Sequence, residues 1–377
     1  MRSSRVPPFF IILSALFLFS CQPRNGSVVS TREISINPEN SIDLDLGKTL
    51  LEARYVPLET IPESSVMFPD KVIAAFGNLY VLDRRQKALL LFDSDGNFKK
   101  KLRTIPTPGP QEIAEIYDIS YNPFDKTISA VGVFYVAKYS AELEFIEKVQ
   151  QKVGMWHHSW ISEDEFIYYS NYLNPQNKTL IGQFNFSDQE EDAGLILQDE
   201  NPGIRFMQPG VFSRSENGIL ICPPLNDTVY KYSEGELSIH RTFDYGEFQM
   251  PKKARTKLTT RSFRELKYQA YAFHIINYRE NKHNIMFSYN YMNKHRKFIY
   301  FLDNDIGYSI RDIYVDEDKF YLRSVGTSGS GGLITWYSPE EFKKLEEANL
   351  VSPKMSVTAN SNPILCFIDE IILSEKE

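Results

Sequence analysis

Cysteine is scarce in this chain, with three among 377 residues. One of them, Cys21, stands near the start, so only Cys222 and Cys366 remain for a folded body. That excludes a small scaffold stapled by disulfides. The pair could bridge in an oxidising compartment. Both lie in apolar stretches, however, Ile219-Leu220-Ile221-Cys222 and Ile364-Leu365-Cys366-Phe367, which read as strands holding buried free thiols. Basic charge is also short: 42 Lys and Arg stand against 49 Asp and Glu, for a net charge of −7. A nucleic-acid partner needs a dominant basic field, so that class is excluded. Beyond residue 21 no apolar run is long enough to span a bilayer. Linkers rich in Gly, Ser or Pro are missing, which leaves one domain. No catalytic constellation stands out.

What is present begins with a targeting segment. Arg2 and Arg5 form a basic start, and residues 9–19 form a short apolar run typical of a secretory signal. It ends in Leu18-Phe19-Ser20-Cys21, which resembles a bacterial lipobox. The expectation is a signal peptide over 1–21, with Cys21 acylated as the lipidation site, and a polar tether over 22–31. Two or three acyl chains would hold the mature chain to a lipid bilayer.

The body, 32–377, carries a two-strand unit six times. Each copy opens on a polar turn and runs into a β-branched or aromatic strand: 77–82, 125–130, 164–169, 217–222, 283–288 and 318–323. A second strand follows each, at 89–93, 136–139, 181–186, 229–232, 298–302 and 333–337. Repetition at roughly 35–65 residues predicts an all-β, six-bladed β-propeller. The 42% hydrophobic and 14% aromatic content suits many half-buried strands. Residues 32–37 read as a first strand and 53–58 as an edge strand ended by Pro57. The strand near Ile34 and the strand 364–367 are expected to share or flank the blade that closes the ring. Asp95-Gly96 predicts a primed hairpin turn, and Asn217-Gly218 and Glu234-Gly235 punctuate similarly. Ser338-Pro339-Glu340-Glu341 is a capping box leading into a helix over 342–349, and 251–269 reads as an insertion carrying a helix.

Several segments resemble the six-bladed β-propeller lipoproteins abundant in Bacteroidetes, most of unknown function. They are Tyr55-Val56-Pro57-Leu58-Glu59-Thr60, Leu79-Tyr80-Val81-Leu82-Asp83, Leu91-Phe92-Asp93-Ser94-Asp95-Gly96-Asn97-Phe98, Gly109-Pro110-Gln111-Glu112, Asn226-Asp227-Thr228-Val229-Tyr230 and Asn362-Pro363-Ile364-Leu365. The resemblance covers roughly 55–367 and implies no catalytic set. Ile105-Pro106-Thr107-Pro108 departs from it, since glycines are common there in the family. The lack of an acidic run after Cys21 differs from the surface-export signal of that phylum. The expected location is therefore the cell envelope, on the outer membrane facing the periplasm.

The candidate ligand-binding residues come in three groups. In Met155-Trp156-His157-His158-Ser159-Trp160, Trp156 and Trp160 could stack on sugar faces while His157 and His158 bond hydroxyls. Too few further ligands lie nearby for a metal, and packing is the plainer reading. Asn171-Tyr172-Leu173-Asn174 and Asn290-Tyr291-Met292-Asn293 are near-copies at equivalent turns, which predicts one shared face presenting Asn171, Tyr172, Asn290 and Tyr291. Gln111 and Glu112 could stand at a channel mouth or form a rigid connection.

Other features carry less. The basic stretch from Lys252 to Lys267, including Lys257, reads as a solvated face or a site for an anionic partner. The glycine-rich 326–332 lacks the Lys-Ser/Thr ending of a phosphate loop and reads as a hairpin tip. Asp93-Ser94-Asp95-Gly96-Asn97 is an incomplete calcium pattern. The reading is thus an exported, lipid-anchored propeller that binds a glycan, a peptide or an envelope protein, with no cofactor. The alternative is a propeller hydrolase or lyase using a divalent cation at the central channel.

Overall fold

The strands Asn78–Asp83 and Ala88–Asp93 are apolar on both faces and buried almost throughout, so each needs cover on two sides. The computed structural model provides that cover in six sheets arranged radially, each packed between two others. It describes residues 32–132, 134–171, 178–191, 194–197, 204–206, 210–256, 258–315, 318–327, 331–351 and 355–372. The predicted six-bladed β-propeller is the fold observed.

Blade 1 runs outward through Lys71–Ala75, Asn78–Asp83, Ala88–Asp93 and Phe98–Arg103. Blade 2 has Asp118–Asn122, Thr127–Gly132, Tyr135–Tyr139 and Phe145–Gln150. Blade 3 has His157–Trp160, Glu165–Tyr169 and Thr179–Asn185, with an outer edge split into Glu190–Glu191 and Ile196–Leu197. Blade 4 has Phe212–Ser215, Gly218–Ile221, Thr228–Ser233 and Glu236–Asp244. Blade 5 has Ala272–Glu280, Asn284–Tyr291, Lys294–Phe301 and Ile306–Val315. Blade 6 has Gly326–Thr327, Leu333–Tyr337, Ile364–Ile368 and, outermost, Arg54–Pro57.

Among the described residues there are six hydrophobic cores, one between each pair of successive blades. Between blades 6 and 1, for example, Ile334, Trp336 and Leu365 meet Leu79, Val81 and Leu90. Between blades 2 and 3, Val131 and Val136 meet Trp160, Phe166 and Tyr168. Each fully buried side chain of this size contributes about 1.5–3 kcal/mol. Cys222 and Cys366 are both free and buried, as expected, Cys366 within a strand and Cys222 just past the end of one.

Three sequence expectations change. Arg54–Pro57, rather than the strand near Ile34, pairs antiparallel with Ile364–Ile368 and closes the ring. Arg32–Ser35 instead lies parallel to Glu236–Asp244, and Ser41–Asp45 lies parallel to Ile306–Val315. They cover the outer edges of blades 4 and 5, which would otherwise expose unpaired backbone. Second, the repeat near 318 is not a blade core: Asp318–Phe320 pairs with the outer strand of blade 5. Leu333–Tyr337 is then the second strand of blade 6, and helix Pro339–Glu347 separates it from the third. The two-strand unit seen in sequence is the middle hairpin of a blade, so it could not reveal the missing inner and outer strands. Third, Asp95-Gly96 is not a primed turn. Gly96 N donates to Asp93 O at 3.1 Å and only Gly96 has positive φ, which makes a type I turn with a bulge. Of the turns named from the sequence, Glu234-Gly235 is primed, with φ of 54° and 82°.

Three sequence segments meet at the ring seam. A Cβ on Gly96 would stand 2.2 Å from Pro57 O, so only glycine lets the blade 1 hairpin approach the closing strand. Glu59 N donates to Gly96 O at 2.8 Å, and Phe98 N to the Glu59 carboxylate at 2.8 Å. Buried Asn362 donates to Glu59 O and Ser64 O and accepts from Val66 N. The helix also follows its sequence. Ser338 and Glu341 form the capping box, and Phe342 packs edge-on against Tyr55 with centroids 5.4 Å apart.

Candidate functional site at the ring axis

Each blade starts at its innermost strand, so the six inner strands run one way along a common axis. A cavity of about 70 Å³ lies among them, lined from all six blades by residues that include Lys71, Tyr121, His158, Arg214, Arg279 and Thr327. At the end where the inner strands finish, it meets a larger pocket of about 440 Å³. That pocket is lined by the turns of blades 4 and 5, with Ser215, Glu216 and Asn217 on one side and Glu280, Asn281 and Lys282 on the other. Lys231 and His240 reach it from blade 4. Tyr121, Arg214 and Thr327 border both spaces and join them. The volume falls in the range of about 300–1,000 Å³ usual for small-molecule sites.

A polar chain crosses the inner strands of blades 1 to 3. Lys71 Nζ lies 2.7 Å from Asp118 Oδ1. Asp118 Oδ2 faces His157 Nδ1 at 3.4 Å and His158 Nδ1 at 3.9 Å. His158 Nε2 is 2.5 Å from Ser129 Oγ, which also accepts from Trp160 Nε1 at 2.8 Å. Burial alone would raise the Asp118 carboxyl, but Lys71 and the two histidines overcome it and hold Asp118 well below the usual carboxylate range. Burial pushes His158 down to about 3, so its ring is neutral.

Asp118, His158 and Ser129 are the residue types of a hydrolytic triad, but their geometry is not one. Ser129 has no exposed surface and spends its hydroxyl inside the wall. The aspartate stands 3.9 Å from the imidazole, beyond hydrogen-bond reach. The chain ties three blades together rather than presenting a nucleophile.

The carboxylates around the pocket are largely spent. Glu280 accepts from Arg241 and Tyr278 and sits 2.9 Å from His240 Nε2. Burial would raise Glu280, but His240 and Arg241 bring it down to about 2. Two arginines of the axial lining have no carboxylate partner among the described residues. Arg214 donates to Trp160 O and lies over the Tyr121 ring at 5.2 Å. Arg279 is only 8% exposed, and burial lowers it to about 10. Among the described residues, no group of three His, Cys, Asp or Glu side chains could hold a metal ion.

Comparison with known proteins bears on the family. A family model, Domain of unknown function (DUF4934), matches residues 32–369. The chain belongs to that family. Among solved structures, a Bacteroides fragilis protein provisionally classed as exported is similar. It is 14% identical, with a TM-score of 0.73, over 89% of this chain and 99% of that one. A Bacteroides vulgatus member of the DUF4221 family is 11% identical, with a TM-score of 0.49, over 87% of this chain and 98% of that one. At these identities the likeness is one of fold. No functionally curated protein matches.

The residues singled out from sequence lie elsewhere. Trp156, His157, His158 and Trp160 are all buried at the start of blade 3. Trp156 packs on Tyr117 and Trp160 on Phe166 and Phe186. Only His158 borders the axial cavity. Asn171 is buried, with its Oδ1 accepting from Phe206 N and Tyr169 OH. Asn290 and Tyr291 are buried at the middle hairpin of blade 5, and Tyr291 OH donates to Glu39. By strand direction these middle hairpins sit on the face opposite the large pocket.

Gln111 and Glu112 are exposed, and the loop is held by Lys148 of the outer strand of blade 2, which donates to Gly109 O and Glu112 O. In the basic stretch, Arg255 pairs with Asp227. Cys21, Tyr172, Leu173, Asn174, Lys257 and residues 328–330 lie outside the described residues. The glycine-rich segment still reaches the pocket through Thr327 and Gly331. Sequence reasoning missed Arg214, Lys231, His240 and Arg279. The one available signal was charge inside strands, as in Ala272–Glu280, where Arg279 follows an apolar run.

Proposed function

We propose that this chain is an exported propeller, anchored to the bacterial envelope through acylated Cys21, that binds a polar ligand in the pocket at the ring axis. The observation that carries the reading is the pocket of about 440 Å³, to which four blades contribute and which runs on into the axial cavity. Loops brought together from separate blades on a rigid ring are a natural docking surface. The absence of an accessible nucleophile in the Asp118–His158–Ser129 set favours binding over hydrolysis. The likeness to a Bacteroides protein provisionally classed as exported and the amino-terminal Cys21 segment support the location. A glycan or peptide fits the pocket better than a flat protein surface does, because the lining is concave and polar.

The test is an array of glycans and peptides probed with the body, residues 22–377. Binding that falls at least tenfold on Lys231→Ala or His240→Ala supports the reading. Binding indifferent to both overturns the pocket assignment. For the anchor, labelling of the full chain with a fatty-acid analogue should be lost in Cys21→Ser, and an unlabelled parent chain would overturn it.

A further inference from the structure

Arg279 poses a problem of charge. It lies on the innermost strand of blade 5, is 8% exposed and faces the axial cavity. Its side chain has no hydrogen bond or ion pair among the described residues, and its Nε is buried without a partner. Arg214, on the neighbouring inner strand of blade 4 and lining the same cavity, offers its guanidinium to a carbonyl and a ring but, among the described residues, to no carboxylate. Lys71 has its own counter-charge in Asp118. The cavity wall therefore carries two uncompensated guanidinium groups. At the mouth, Lys231 and Lys282 add positive charge, Glu280 is paired with Arg241, and exposed Glu216 is the one carboxylate of the lining left over.

A buried cation without a partner is costly unless something else supplies the charge. Planar guanidinium groups are suited to bidentate recognition of carboxylate, sulfate or phosphate. The cavity, at about 70 Å³, exceeds the roughly 10–15 Å³ needed for one water and suits a single oxyanion group rather than a sugar ring. The pocket beyond it has room for the remainder of a ligand. We infer that the axial cavity is an anion subsite, in which Arg279 and Arg214 take the acidic group of a ligand whose neutral body fills the mouth pocket. This deepens the binding reading above and rests on it. The ligand class is a small acidic molecule, such as a uronate or a sulfated saccharide.

Titration calorimetry on the body, residues 22–377, tests it with D-glucuronate and inorganic sulfate, and with D-glucose as the neutral control. Saturable binding of both anions, no binding of glucose, and at least a tenfold loss in Arg279→Met is the expected result. Arg279→Met should keep or raise the thermal midpoint of the free protein, because it removes a buried unpaired charge. Arg214→Gln provides a second variant should Arg279→Met fail to fold, and it too should lose at least tenfold. Lys100→Ala, on the exposed outer strand of blade 1, should bind as the parent does. Sulfate bound without glucuronate would overturn the carboxylic-acid class, and glucuronate without sulfate would overturn the sulfated one. Anion binding unchanged in both arginine variants, or absent from the parent, overturns the subsite. If array ligands still bind and respond to Lys231→Ala while neither anion binds, the anion subsite falls and the pocket reading stands.

Discussion

Asp118 joins the first three blades through charge. Buried beside Lys71, it is 3% exposed at its side chain, so losing the charge leaves the ammonium without its partner. Asp118→Asn should cost about 3 kcal/mol at neutral pH, read as a lower urea midpoint. Its carboxylate is depressed in the fold, so this contribution is complete above the unfolded value of about 3.9 and is lost as pH falls further. The gap between parent and variant should therefore narrow only in strong acid. His158 acts in another window. Burial holds it at about 3, against about 6.5 when unfolded, so the unfolded chain takes the proton first. Stability should fall from about pH 6.5 towards 3 by about 1.4 kcal/mol per pH unit for that proton. His274, also lowered to about 3 by burial, adds a second. Urea midpoints across this range should fall less steeply in His158→Gln; an unchanged slope would mean the ring is not held neutral.

At the scale of elements, the seam is where the order of the chain matters. Blade 6 takes its outer strand from the start of the body and its other three from the end, so a small set of contacts closes the ring. Asn362 is the centre of that set. Asn362→Ala leaves Val66 N–H and Ser64 O without their partner in a buried place, while Glu59 O keeps the Ser64 hydroxyl, and should cost about 3 kcal/mol. Hydrogen exchange should speed up first in Arg54–Pro57. Lys100→Ala breaks an exposed pair with Glu144 and should change stability by less than about 0.5 kcal/mol. Equal effects at the two sites would contradict the seam. Three of the six segments that signalled a family in the sequence supply seam residues: Pro57, Glu59, Gly96 and Asn362. They were legible because turns, capping and close approach each demand a specific residue. Which strand closes the ring was not legible, since pairing between residues some 300 apart leaves no local pattern; the residues 32–37 alternate as well as 54–57 do.

At the scale of the molecule, six repeats, five of them the middle hairpin of a blade, were enough to give the architecture. They were not enough to place the site, because an axial pocket is assembled from inner strands and turns that lie far apart in the sequence. Trp156 and Tyr291 drew notice as rare or repeated residues, yet both belong to the packing between blades. Arg214 and Arg279 are ordinary in sequence and become unusual only when the ring sets them around one cavity. The two ends of the axis thus make opposite claims on function. Hydrogen–deuterium exchange of the body with a saturating array-selected ligand decides between them. The account predicts protection concentrated at 214–217, 231, 240 and 279–282. Protection confined to 109–112, 171 and 290–293, on the opposite face and the outer edge of blade 2, would contradict it.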